Sequence, residues 1–177
     1  MKNLFNLLET TPLKSMSILI LSISISVLPG YSQDGEENPL APFEWIIGGA
    51  WHFQNAYQVF EWGVGKRSVK SKNYYIIEGD TTLVSEGSWF WHPSENQVRG
   101  YFTAIKMPVA FFDYSTRFEK NKIVSILKSY SPAGEESTYT EILESTSENT
   151  CEWSLLQETD QGSKKIMGSE FVRQPSK

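Results

Sequence analysis

From Gly49 to Arg173 apolar and polar residues alternate with the period of two that puts successive side chains on opposite faces of a strand, and turn-forming residues interrupt this alternation about every 10 to 14 residues. The pattern predicts ten strands, over 49–53, 56–62, 67–77, 81–92, 97–107, 109–118, 122–130, 137–145, 150–158 and 164–173. The breaks carry the chemistry of turns: Gly63 and Gly65, Gly79-Asp80, Pro93 to Asn96, Pro108, Asn121, Pro132 to Gly134, Glu148-Asn149 and Asp160 to Gly162. No amphipathic segment of helical length interrupts the series. Short links join antiparallel neighbours, whereas parallel pairs need long crossovers, so the expected fold is all-β, an up-and-down antiparallel barrel of about ten strands. Closing the sheet removes both exposed edges.

The faces follow from the links. A four-residue loop at Pro93 to Asn96 sets Trp91 opposite Val98, Trp89 opposite Gly100 and Gly87 opposite Phe102, which seats each large ring beside a small position. That face is read as core. In the third strand Lys70 and Lys72 point outward, which turns Val69, Ser71, Asn73, Tyr75 and Ile77 inward, and a two-residue loop at Val64-Gly65 pairs Phe60 with Val69. A two-residue turn at Gly79-Asp80 would pair Tyr75 with Val84 and put Glu86 inside instead of Trp89; a three-residue loop with a glycine bulge restores the Trp face and is the expected register. Phe112, Tyr114, Thr116 and Phe118 share a face, and Trp153 and Leu155 point inward in the ninth strand.

Residues 1–33 differ from the rest. Lys2 and Lys14 precede an apolar run from Ile18 to Leu28, followed by Pro29, Gly30, Tyr31 and Ser32. The run is about half of the roughly 20 residues a membrane-spanning helix needs, and small residues at 30 and 32 suit a cleavage site. It reads as a secretory signal over 1–32, followed by a flexible leader over 33–41 and a barrel domain over 42–177. An uncleaved anchor is the competing reading, and Met16 is an alternative start. The predicted location is outside the cytoplasm, in the periplasm of a Gram-negative bacterium, with no stable membrane span after cleavage. Pro42 to Ile47 predicts one helical turn ahead of the first strand.

Composition changes this picture in three places. A formal charge of −5, from 16 Lys and Arg against 21 Asp and Glu, argues against a nucleic-acid module. Aromatics at 14% and hydrophobics at 40% require a packed core. The single cysteine, Cys151, excludes an intramolecular disulfide, and it reads as a small buried hydrophobe rather than a nucleophile.

Gly49-Ala50-Trp51 opens the first strand after a short helical turn, and Arg173 closes the last one. This pair of ends resembles the lipocalin and calycin superfamily, with secreted bacterial lipocalin-like domains the nearest likeness through Glu61-Trp62-Gly63 to Lys66 and Trp89 to Pro93. Phe112-Asp113-Tyr114 is similar to a second lipocalin motif. The resemblance implies structural closure by Trp51 and Arg173, the basic residue packing over the indole at the closed end of the barrel. A guanidinium on an indole gains roughly 0.5–2 kcal/mol on physical grounds alone. The chain lacks the helix that follows the eighth strand in lipocalins, and the last strand lacks the histidine of the haem-binding barrels related to nitrobindin.

No nucleophile elbow, His-Glu-x-x-His or phosphate loop occurs. His52 and His92 are the only histidines and are expected at the rim or surface, so neither metal nor cofactor is expected. Glu61, Glu86 and Glu170 are the carboxylates to inspect in a cavity. The predicted ligand-binding residues are Phe60, Trp62, Asn73, Tyr75, Trp89, Trp91, Phe102, Phe112, Tyr114 and Trp153, with Asn73, Tyr75 and Tyr114 as polar handles. The expected role is binding of a small apolar or amphipathic molecule in the lumen. An enzyme using the same cavity for acid/base chemistry and a barrel acting through its outer surface are the alternatives. A carboxylate among lumen aromatics would favour the enzyme, and a filled lumen the outer surface.

Overall fold

The spacing of Leu40, Phe43 and Ile46 matches the three-residue period of a 3-10 helix, in which side chains at i and i+3 eclipse. In the structure, a computed structural model that describes residues 38–175, Ala41–Ile46 forms that helix with Pro42 in its first turn. All three apolar residues are buried on one side of it. Ten strands follow: β1 (Ala50–Phe53), β2 (Ala56–Trp62), β3 (Ser68–Ile77), β4 (Asp80–His92), β5 (Gln97–Ala104), β6 (Phe111–Glu119), β7 (Lys122–Tyr130), β8 (Glu136–Ser145), β9 (Thr150–Thr159) and β10 (Gly162–Gln174). Each pairs antiparallel with its neighbour in sequence, and β10 returns to β1, so the sheet closes into an up-and-down barrel. The expected signal segment and most of the expected leader lie outside the described residues.

The predicted pairing across Pro93 to Asn96 is present: Trp91 faces Val98, Trp89 faces Gly100 and Gly87 faces Phe102. Two registers differ from expectation. The β2–β3 connection is longer than two residues, because Gly63 N–H donates to Ser68 O and a short 3-10 turn, Val64–Lys66, fills the loop; Trp62 therefore pairs with Val69, and Phe60 with Ser71. In the β3–β4 hairpin the turn is Glu78-Gly79, both with positive φ as a type I′ turn demands, and Ile77 pairs with Asp80. The extra residue that restores the Trp face is not in the turn. It is a bulge further along, where Asn73 pairs with Ser85 and Tyr74 with Leu83, and it returns Val69 and Trp89 to one inward row.

The helix ends over one mouth of the barrel, hereafter the closed end. Phe43 lies 5.3 Å from Trp89 and edge-on to Phe118 at 5.1 Å. Arg173 pairs with Trp51 across β1 and β10 and stacks on its indole with the guanidinium carbon 4.4 Å from the ring centroid. The indole Nε1–H donates to Ile46 O at 2.8 Å, and Arg173 Nη2 donates to Trp45 O. The two carbonyls at the end of the helix, which no intrahelical donor reaches, are thus satisfied by the residues that seam the first strand to the last.

Candidate functional site

The inward faces divide the lumen in two. In the half next to the closed end, Phe60, Val69, Trp89, Val98, Phe102, Ile123, Leu143, Cys151 and Phe171 are buried and form one core with the helix. Trp89 touches Phe60, Phe102 and Tyr114 with ring centroids 6.2, 4.5 and 5.7 Å away. Gly100 lets its indole lie flat, since a Cβ there would stand 2.7 Å from Trp89 Cδ1.

Polar side chains also face inward: Gln58 Nε2 donates to Ser71 Oγ at 2.8 Å, and towards the closed end the hydroxyls of Thr116 and Ser125 share a hydrogen bond at 2.8 Å. The β1–β2 hairpin is short: β1 pairs with β10 only through Ala50–His52 and Val172–Gln174, and the hairpin turns at Gln54-Asn55, while β10 reaches back to Gly162. The wall is therefore notched beside the hairpin tip. A cavity of about 510 Å³ opens there, lined by Phe53 to Ala56, Tyr75, Ile77, Lys106, Trp153 and Met167 to Ser169. Trp153, Phe171 and Phe53 form a stack along its inner side, with centroid separations of 6.3 and 4.2 Å.

Of the ten residues expected to contact a ligand, Tyr75 and Trp153 line this cavity. Phe60, Trp89 and Phe102 are enclosed in the packed half, at 0%, 2% and 3% exposure. Trp62 and Trp91 sit at the closed end, where Trp62 lies under Lys66 and Trp91 borders a second cavity of about 460 Å³ with Pro39 and Phe118. Asn73 and Phe112 are half-buried on the inner wall, and Tyr114 is buried against Phe102. Phe53, Ala56, Met167 and Lys106, none of them among the expected ligand contacts, also line the cavity.

The carboxylates also fall differently. Glu61, Glu86 and Glu170 are exposed. The inward carboxyl is Glu141, on β8 between Tyr139 and Leu143 and paired with Ser125 on one side and Leu155 on the other. Its Oε1 accepts from Trp153 Nε1–H at 2.8 Å. No salt bridge reaches it among the described residues. Burial raises its pKa above the ordinary carboxylate range, only partly offset by the indole hydrogen bond. Burial, with the Glu141 charge in second place, raises Tyr114 well above an ordinary phenol. Glu141 is nevertheless only half-buried, so its inward side chain borders space that water reaches.

A sign follows for stability. Between the ordinary carboxyl pKa and the raised folded one, the native protein holds a proton that the unfolded chain has lost, so this group makes stability fall as pH rises through that window. Glu141→Gln should therefore be more stable than the parent at pH 7 and indistinguishable from it at pH 4. Urea unfolding of both proteins across that range checks it, and an advantage that grows towards low pH would contradict the assignment.

The remaining reactive groups are accounted for locally. His52 stacks on Tyr57 on the outer wall at 5.2 Å, and His92 lies 3.6 Å from Glu95. No group of metal-ligating side chains occurs among the described residues. Burial pushes the Cys151 thiol up to about 12, which keeps it protonated and unreactive. Asp113 holds Arg99 through both carboxylate oxygens at 2.7 and 2.8 Å on the barrel exterior, a structural clamp from β6 to β5.

No family model matches the chain, and neither the curated proteins nor the solved structures give a match.

Proposed function

We propose that this is a lipocalin-like, exported barrel that holds one small apolar or amphipathic molecule in the half of its lumen away from the helix. The observation that carries the reading is the 510 Å³ cavity at the notch, because it joins aromatic and thioether surface from Phe53, Tyr75, Trp153 and Met167 to the polar residues Gln54, Asn55, Lys106 and Ser169. Concave sites of this size, mostly apolar with a few convergent polar atoms, are where small ligands bind. Lys106 stands at the rim and the packed half forms the floor.

Trp153 is the reporter of such binding, since it is both cavity wall and hydrogen-bonded to Glu141. Titration with straight-chain alcohols should change tryptophan emission, and Trp153→Ala should weaken binding by about tenfold through lost aromatic contact, on the order of 1.4 kcal/mol. Lys70→Ala, on the outer wall, should leave affinity unchanged. Equal binding by both variants would place the ligand elsewhere.

Glu141, which accepts a hydrogen bond from the cavity-wall indole of Trp153, favours a second reading, acid/base catalysis beside that cavity, because burial raises its pKa as in groups that transfer protons. Turnover of a bound ligand, lost in Glu141→Gln while binding persists, would establish it.

A further inference from the structure

We propose that the lumen selects ligands whose polar end is a protonated amine, with the Glu141 carboxylate as counter-charge and aromatic rings around it. This rests on the lumen-binding reading above and names its ligand class.

Three observations meet at this point. Glu141 is the inward carboxyl on a wall whose neighbouring groups are Ser125, Leu155, Tyr139, Trp153 and Tyr114, none of them cationic. The Ser125 hydroxyl, on the strand paired with Glu141, shares a hydrogen bond with Thr116 Oγ1 at 2.8 Å. The only hydrogen bond that reaches Glu141 among the described residues goes to Oε1, from an indole that itself forms part of the cavity wall. Half-buried and without a positive partner among the described residues, the carboxylate offers an incoming cation a charge interaction that no neutral or anionic head group gains.

The surroundings act in the same direction. Aromatic faces attract cations through their quadrupoles, and Trp153 and the two tyrosines place such rings beside the carboxyl. The chain's net charge of −5 raises the local concentration of cations near the surface. Lys106 opposes this, but it is an exposed rim residue whose charge is screened by water and salt. The apolar remainder of the ligand would lie along Trp153, Phe53 and Met167 towards the notch.

The test uses three eight-carbon probes that differ only at the head: octylamine, 1-octanol and octanoic acid, titrated by calorimetry at pH 7. The wild-type protein should bind octylamine at least tenfold more tightly than 1-octanol. In Glu141→Gln the amine preference should vanish while 1-octanol affinity stays within twofold, and Glu141→Asp should retain a preference for the amine. Binding of 1-octanol with no gain for octylamine, a preference for octanoic acid, or an amine preference that survives in Glu141→Gln would overturn the inference and leave the lumen reading standing. Failure of all three probes to bind would overturn both. Should the Gln variant not fold, the wild-type ratio and the Asp variant decide.

Discussion

Trp51→Ala should lower stability by about 4 kcal/mol, among the larger costs expected of any single substitution in this chain. The indole is completely buried, stacks under Arg173, meets Trp45 edge-on at 6.0 Å and donates to Ile46 O. Its removal opens a cavity at the seam between β1 and β10 and leaves a helix carbonyl without its donor. Arg173→Ala should cost less, about 2 kcal/mol, through the lost cation–π stack and the hydrogen bond to Trp45 O, and Arg173→Lys should recover part of that because an ammonium keeps the charge but not the flat stack. Chemical denaturation at neutral pH measures all three. A Trp51→Ala protein within 1 kcal/mol of wild type would mean that the seam is not what holds the barrel shut.

Gly87→Ala should destabilise by about 3 kcal/mol, although it adds a single methyl group. That methyl would stand 2.2 Å from the Tyr101 carbonyl oxygen and 2.4 Å from Phe102 Cγ. A side chain can swing away, but the carbonyl belongs to the β4–β5 ladder, so relief requires the ladder itself to shift. Gly100→Ala is the gentler comparison, since its nearest obstacle is the Trp89 ring rather than backbone. Thermal unfolding of the two variants should rank Gly87→Ala below Gly100→Ala, and the reverse order would show that ring packing, not the ladder, limits this region.

Those two glycines also show what was legible in the sequence. Trp89 and Trp91 alternate on a strand that ends at a four-residue Pro93 to Asn96 loop, and that loop length alone fixes which residues face Gly100 and Val98. The strand series, the antiparallel order and the short helix ahead of β1 follow from similarly local signals. Bulges are harder to read. The shift near Val84 sits in the middle of β4, where no glycine or proline marks it, and the one near Ile166 in β10 changes which residues reach the cavity, so Met167 escaped notice.

Glu141 was hidden for a different reason. The run Tyr139 to Leu143 has an apolar residue on each face, because Ile142 points outward while Leu143 points in, and alternation by itself then supports either assignment. Its neighbours decide: Leu143 pairs with Ile123 and Trp153, both inward, and the carboxyl two residues away must share their face. The notch in the wall could not be read from composition either. It arises from the short β1–β2 hairpin, whose tip at Gln54-Asn55 leaves β10 to run on without a partner on that side.

On the proposed reading a small molecule occupies the cavity beside Trp153 and leaves the packed half untouched. The six tryptophan indole N–H signals in a proton–nitrogen correlation spectrum report on both halves at once. On titration with 1-octanol the Trp153 signal should move in a saturable way, while those of Trp51 and Trp89, enclosed at 0% and 2% exposure, stay in place. Movement of Trp89 with Trp153 unmoved, or no saturable movement of any indole, would contradict the account.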